Sequence, residues 1–352
     1  MLKNKQKLRL LNDGIKDPFM HFAVEDAVLR LVDEEKSPPT LRIRQTIPSV
    51  WIGVFQHPEE NVNIEYCTEH NIPIVRRSNP GGAVYQDSGS LCYSMFFNRN
   101  EMFSHLGIED PSQLYSLTGK AVLAVCKDFG VKAKLSPVND ITVDNRKIYG
   151  SAQLELYSAF VHSGTFLVNA DIKTMQNCLK PSDLKFKEKG FKSVAERVIN
   201  LSEAARKAIS VKHVIKSLIN HFSEILNIEL QQSPLTKEEK TLAEKLLASK
   251  YSKKEWTFRK KQLFTTKLST KIKSGVVNLH ISTDNQYIKN IHITGDFLLS
   301  DPEILHKIET NIRGLAIEKG ISFIKKSPLP QELKIAVCHM ITNITEGQNR
   351  NE

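Results

Sequence analysis

The chain reads as a mixed α/β (α+β) protein of two units, and three observations carry that reading. Strand-like stretches precede, interleave with and follow helical ones, without the regular strand–helix–strand alternation of a doubly wound sheet. Helical segments show a plain 3.6-residue period; after Ser210 the residues Val211, Val214, Ile215, Leu218, Ile219, Phe222, Ile225 and Leu226 fall on one face. The β-rich runs are short and end in Gly, Asn or Asp, the residues of tight turns.

Taken in order, Phe22 to Val32 is amphipathic and reads as a helix. Leu41 to Arg44 and Ser49 to Ile52 read as strands, the second closed by Gly53. Ile72 to Val75 forms a strand that runs into Arg76-Arg77, and Gly82 to Tyr85 with Leu91 to Phe97 reads as a hairpin-like pair. Asp110 is the N-cap and Pro111 the first position of a helix that continues through Leu114, Leu117, Ala121, Val122 and Val125 to Gly130. An Asp144-Asn145 turn joins the strand Asn139 to Val143 to the strand carrying Lys147, and a strand from Phe160 to Val168 follows. Ser210 caps the periodic helix, and Thr236 with Glu239 makes a capping box for a helix reaching Leu247. The division is placed there, giving units 1–248 and 249–352. In the second unit Gly275 to Ser282 alternates Val277, Leu279 and Ile281, an Asp284-Asn285 turn leads to Ile288 to Thr294, Pro302 to Lys319 reads as one helix, and a last helix begins near Pro330.

Composition narrows the function classes. In 352 residues, 40% hydrophobic and 25% charged describe a globular protein, with no apolar run approaching a membrane span. The basic N-terminus lacks a following apolar stretch, so a secretory signal is not expected. Five scattered cysteines with no C-x-x-C pair favour reduced thiols, and hence a cytoplasmic location, over disulfides or a zinc site. Cys92, on the apolar alternation Leu91, Tyr93, Met95, reads as a core thiol. A net charge of +10, with lysines gathered in Lys180 to Lys192 and Lys250 to Lys273, suits either solvated faces or an acidic protein partner. Nucleic acid is disfavoured, because aromatics are 7% and no recognition motif accompanies the charge.

Two segments carry the chemistry. The first is Arg76-Arg77-Ser78-Asn79-Pro80-Gly81-Gly82-Ala83-Val84-Tyr85-Gln86-Asp87, where glycines allow backbone N–H groups to approach anionic oxygens and arginine can grip phosphate or carboxylate. The second is Asn139-Asp140-Ile141-Thr142-Val143, a turn, and Lys147-Ile148-Tyr149-Gly150-Ser151-Ala152, a single lysine followed by small residues. Each alone is ordinary. Together they supply what joining a carboxylic acid to a nucleotide phosphate requires.

These segments resemble the lipoate–protein ligase A family, in its form with a C-terminal accessory domain. The family's Arg-Arg-x-x-Gly-Gly-Gly-Ala-Val-(Tyr/Phe)-His-Asp turn is matched by Arg76 to Asp87, and its Asn-Asp strand and Lys-x-x-Gly-Ser-Ala motif by Asn139 to Val143 and Lys147 to Ala152. Similar matches follow in family order at Asp17 to Glu25, Trp51 to Gly53, His162 to Asp171 and Lys192 to Leu201. The resemblance implies a mixed-sheet catalytic domain of the biotin/lipoate protein ligase type and a small α/β accessory domain. It implies an ATP-dependent ligase that converts lipoate to lipoyl-AMP and transfers the lipoyl group to a specific lysine of acidic carrier proteins, the glycine cleavage H protein or E2 lipoyl domains, with Mg²⁺ accompanying ATP and the protein acting as a monomer. By the same resemblance Lys147 is the catalytic residue, and Arg77, Gly81, Gly82, Ala83, Val84, Tyr85, Asn139, Asp140, Ser151 and Ala152 bind ATP or lipoyl-AMP. Arg76, Asp87, His162 and Thr165 are candidate substrate contacts, Arg76 equally a support for the fold and His162 equally a partner of a nearby carbonyl. Asp140 stands open between a phosphate or Mg²⁺ contact and a strand-end cap.

The match departs at two places. Pro80 replaces the first glycine of the triplet, fixing φ and removing an N–H, and Gln86 replaces a histidine, losing a group that could carry a proton. The alternative these departures keep open is a lipoyltransferase that uses preformed lipoyl-AMP, or a related octanoyl or lipoyl transferase.

Overall fold

The computed structural model describes residues 4–136, 139–180, 193–258, 264–284, 286–299 and 301–348. Most of the Lys180 to Lys192 cluster, Lys260 and Lys261 of the second cluster, Lys192 of the last family motif and Asn285 of the expected turn lie outside them.

The strands are β1 (Gln6–Lys16), β2 (Thr40–Thr46), β3 (Ser49–Ile52), β4 (Ile74–Arg76), β5 (Val84–Gln86), β6 (Ser90–Asn98), β7 (Lys134–Ser136), β8 (Asp140–Val143), β9 (Arg146–Leu156), β10 (Ala159–Leu167), β11 (Ile228–Gln232), β12 (Thr266–Ile272), β13 (Gly275–Asp284) and β14 (Tyr287–Gly295). Eight of them form one sheet in the order β11-β1-β2-β6-β10-β9-β8-β7. β1 runs parallel to both of its neighbours, and the other pairs in that sheet are antiparallel. A small sheet β4-β3-β5 and a third sheet β12-β13-β14 complete the mixed architecture.

Alternation along the strands divides the first unit into two layers. From β6, Leu91, Tyr93, Met95 and Phe97 join a core with Leu114 and Val122 of the Pro111–Asp128 helix and Leu218 and Phe222 of the Val211–Ile225 helix. Cys92 and Phe96 join the opposite core, with Phe22, Ala27 and Val28 of the Pro18–Asp33 helix and Ala243 and Leu246 of the Lys237–Leu246 helix. Caps behave as the residues dictate: Asp17 accepts from the N–H groups of Phe19 and Met20, and Thr236 with Glu239 closes its capping box. Asp144 and Asn145, at φ 48° and 64°, form the expected turn between β8 and β9.

Two expectations are corrected. The stretches 84–86 and 90–98 do not pair as a hairpin: β5 joins β3 in the small sheet, whereas β6 lies between β2 and β10 in the large one. Asp87 makes that separation by accepting from Gly89 N and by taking the Asp171 N–H. Pro302 to Lys319 is not one helix but two, Glu303–Ile312 and Ile317–Lys326, because the chain turns at Gly314 with φ 78° and ties to Ile288 through Gly314 N–H and the Leu315 carbonyl.

The second unit packs its own core, with Leu279, Ile281, Ile291 and Ile293 of the hairpin against Leu305, Ile308, Ile324 and Val337. Phe55 of the first unit belongs to that core, stacking on Phe297 at 5.1 Å. The chain between 247 and 258 returns to the first unit, where Tyr251 and Trp256 sit beside Phe22 and Trp51.

Candidate active site

A cavity of about 290 Å³ lies over one face of the large sheet, between the Pro18–Asp33 helix and the small sheet. Its floor is set by strand register. Arg44 pairs with Cys92, Cys92 with Thr165, Thr165 with Gly150, and Gly150 with Asp140, so one row of residues crosses β2, β6, β10, β9 and β8 on a single face. From Arg44 to Gly150 that row covers three strand spacings, about 14 Å.

At the Gly150 end stands Lys147. Its Nζ is 2.6 Å from Asp140 Oδ1, and both side chains are only partly exposed. A Cβ at Gly150 would fall on Lys147 Nζ and Cε, so the missing side chain is what lets the lysine lie across the strand toward the cavity. Asn139 braces the same corner, its carbonyl accepting from Ser151 N at 3.0 Å and from Ser151 Oγ at 3.2 Å. A cation with one carboxylate partner in a cleft is poised to exchange that partner for an anionic substrate oxygen.

The paired-arginine turn forms the opposite wall. Arg77 donates to the carbonyls of Trp51, Pro80 and Gly82 at 3.0, 3.2 and 2.8 Å, so its guanidinium holds the glycine turn in shape from within the cavity lining. Burial lowers its pKa to about 10, which leaves it charged at neutral pH. Positive φ falls at Gly81 (105°), so Pro80 occupies its place without a left-handed backbone. Behind the turn, the π-helical stretch Leu247–Tyr251 presents Tyr251 Oη at 2.8 Å and Lys250 Nζ at 3.2 Å to Ser78 Oγ, and both side chains also reach Asp26. Gln86 donates to Thr165 Oγ1 at 3.3 Å at the cavity edge.

Of the residues singled out from sequence, Arg77, Gly81, Gly82, Ala83, Val84, Tyr85, Asn139, Asp140, Lys147, Ser151, Ala152 and Thr165 line this cavity. Three lie elsewhere. His162 points to the opposite face of the sheet, fully buried, with Thr118, Tyr93 and Gln153 as partners, and burial pushes its pKa down to about 3. Its neighbour Ser163 faces the cavity instead, one step of the pleat away. Arg76 is fully buried beneath the cavity wall, donating to the carbonyls of Gly53, Val54, Gln56, Trp256 and Thr257. Asp87 organises the turn into β6.

The far end of the cavity was not singled out from sequence. Phe22, Glu25, Arg44 and Trp51 close it, with Phe22 and Trp51 in edge contact at 4.9 Å. An acidic residue among apolar neighbours on an amphipathic helix and two arginines alternating along a strand are the available signals. Ser274, Asp296 and Leu298 of the second unit also line the cavity, and no local motif marks them.

Comparison with known proteins places this architecture. The chain's residues 17–223 match the lipoyl protein ligase A/B catalytic domain, and residues 261–322 match the bacterial lipoate protein ligase C-terminus. The chain therefore belongs to the lipoyl protein ligase A/B family. It is 31% identical to lipoate–protein ligase 1 of Staphylococcus aureus over 81% of this chain and 84% of that protein. It is 28% identical to lipoate-protein ligase LplJ of Bacillus subtilis over the same shares of the two chains. Among solved structures, a lipoate-protein ligase A bound with ATP is 28% identical with a TM-score of 0.62, over 72% of this chain and 99% of that one. The bipartite lipoate protein ligase of Thermoplasma acidophilum, described with its E2 lipoyl domain, is 29% identical with a TM-score of 0.63, over 74% of this chain and 100% of that one.

Proposed function

We propose that the chain is an ATP-dependent lipoate–protein ligase, and the observation that carries this is Lys147, held by Asp140 at one end of a cavity whose floor runs across the sheet to an aromatic end. Lipoate's carboxylate attacks the α-phosphorus of ATP, forming lipoyl-AMP and expelling pyrophosphate. A carrier lysine then attacks the acyl carbon, the amide forms, and AMP leaves. Most of the first barrier is repulsion between carboxylate and phosphates. Lys147 relieves it by leaving Asp140 and bridging oxygens of both reactants, and in the second step it stabilises the AMP phosphate as it departs. Arg77 keeps Gly81 and Gly82 in the shape that offers backbone N–H groups to the nucleotide.

Asp140 is the carboxylate beside Lys147, and among the described residues no cluster of three His, Cys, Asp or Glu could hold a metal. That donor set fits a Mg²⁺ carried mainly by the nucleotide's phosphates, with Asn139 and Asp140 as its protein-side oxygens. When bound, the ion would neutralise charge on the phosphate oxygens. The acceptors are lipoyl-accepting carrier domains, not yet modified, whose acidic surfaces the chain's +10 charge would attract. The enzyme is taken to act as a monomer in the cytoplasm; its five cysteines are buried thiols, and no helix among the described residues is long and apolar enough to cross a membrane. Residues 1–248 form the catalytic unit in this reading and 249–352 the accessory unit.

A second reading, transfer from preformed lipoyl-AMP, draws on Pro80, which removes one N–H from the nucleotide turn. Mass spectrometry of apo lipoyl domains separates the two. Lipoate with Mg-ATP should produce the lipoyl mass gain; a gain from supplied lipoyl-AMP together with none from lipoate and Mg-ATP would replace the ligase reading with the transferase.

A further inference from the structure

Residues 77–83 of the arginine–glycine turn belong to no strand, so side chains must hold them in place. Arg77, Asn79, Pro80, Gly81, Gly82 and Ala83 line the cavity. Arg76 and Ser78, the alternate residues, instead contact the chain between 247 and 258. There Trp256 Nε1 donates to the Arg76 carbonyl at 2.9 Å, and Ser78 Oγ lies 2.8 Å from Tyr251 Oη and 3.2 Å from Lys250 Nζ. Neighbouring residues of a regular α-helix point about 100° apart. The π-helical turn Leu247–Tyr251, closed by the Ser252 N–H on the Leu247 carbonyl at 3.0 Å, brings Lys250 and Tyr251 together on Ser78 and also on Asp26 Oδ2, at 2.8 and 3.1 Å. Charge fixes the protons in that ring. Lys250 only donates, the Asp26 carboxylate only accepts, and Tyr251 gives its proton to Asp26, so Ser78 donates to Tyr251 and accepts from Lys250. Arg30 Nε, 2.7 Å from Asp26 Oδ1, anchors the carboxylate, and the Trp256 ring lies 4.3 Å from Lys250 Nζ. With Tyr251 and Asp26 buried, a closed ring of this kind is stiffer than its separate bonds, and Ser78 is its one member on the turn.

We propose that Tyr251, with Lys250 beside it, is a positioning residue for the nucleotide, acting through the Ser78 hydroxyl to hold the Gly81–Gly82 backbone where ATP meets it. Ser78, Lys250 and Tyr251 are all absent from the cavity lining, so their effect reaches the ligand only through the turn. The inference rests on the nucleotide-binding reading of that turn, and direct binding tests it without any turnover. Mg-ATP and, separately, lipoate are titrated calorimetrically into the full-length protein, into Ser78→Ala, into Tyr251→Phe and into the double variant.

Each single variant should weaken ATP binding by about fivefold while lipoate affinity stays within about twofold. The double variant should bind ATP no more weakly than the weaker single variant, because both substitutions break one ring. Unchanged ATP affinity in either single variant, equal weakening toward both ligands, losses that multiply in the double variant, or no ATP binding by the wild type would overturn the proposal. Should thermal melting show Tyr251→Phe unfolded, Ser78→Ala decides against Ser78→Thr, which keeps the hydroxyl and should keep the wild-type affinity for ATP. Failure of the ligase reading would look different: ATP binding and its dependence on Ser78 would persist while lipoate and ATP gave no pyrophosphate.

Discussion

Burial decides the behaviour of individual side chains here more than their chemical type does. His21 and His162 are both fully buried, and desolvation pushes their pKa values down to about 2 and about 3 from 6.5. His21 also lies beside the cationic Arg42, its Nδ1 3.0 Å from Nη2. The folded protein therefore keeps both imidazoles neutral, while the unfolded chain takes up protons below pH 6.5. Stability should be complete above pH 6.5 and fall as pH drops toward 3, each histidine costing about 2 kcal/mol by pH 5. Urea midpoints at pH 7.5 and pH 5 measure the loss, to which the buried His280, pushed down to about 4, also contributes, and His162→Gln should reduce it by about 2 kcal/mol; a loss unchanged by that substitution would contradict the assignment. The histidine's position on its strand was readable from sequence, but which face it took was not. That depended on the register of β10 against β6 and β9, and one step of the pleat separates a cavity residue from a core residue.

At the level of elements, the β8–β9 corner joins a local signal to a tertiary one. Its strand, turn, lysine and small residues were all legible, because each is a neighbour in sequence and Asp144-Asn145 has a strong turn preference. The need for Gly150 became clear only with the lysine's path across the strand. Gly150→Ala should leave the thermal midpoint within a few degrees, since β-strand backbone tolerates alanine, yet cut adenylate formation by about tenfold or more through displaced Lys147. Full adenylation by this variant, followed as lipoate-dependent pyrophosphate release, would show that the lysine does not work from the position seen. The misread elements share a cause. Proximity in sequence pairs Gly82 to Tyr85 with Leu91 to Phe97, but the partner of Val84–Gln86 is β3, more than thirty residues earlier; the helix break at Gly314 is tied to Ile288 of another element. Long-range pairing leaves no local trace.

Across the whole molecule, Arg76 ties distant parts of the chain together. Its guanidinium binds carbonyls at Gly53, Val54 and Gln56 and at Trp256 and Thr257 of the stretch that returns to the Phe22 and Trp51 core. Arg76→Leu would strip five buried carbonyls of a partner and should destabilise the protein by about 3–5 kcal/mol, read as a lower denaturant midpoint. A change within 0.5 kcal/mol would remove Arg76 from this role. The adjacent arginines thus divide the labour: Arg76 ties the wall to the stretch at Trp256 and Thr257, Arg77 shapes the turn. Sequence showed the pair as a motif but not that division, because the distinguishing partners lie some 180 residues away.

In the proposed reaction Lys147 drives the joining of a carboxylate to the nucleotide. The most direct measurement is lipoate-dependent pyrophosphate release from ATP by the wild type and by Lys147→Ala, with folding checked by thermal melting. The wild type should release pyrophosphate only when lipoate is present, and Lys147→Ala should lose that activity by about a hundredfold or more while melting like the wild type. Undiminished, lipoate-dependent release by a folded Lys147→Ala would contradict the account.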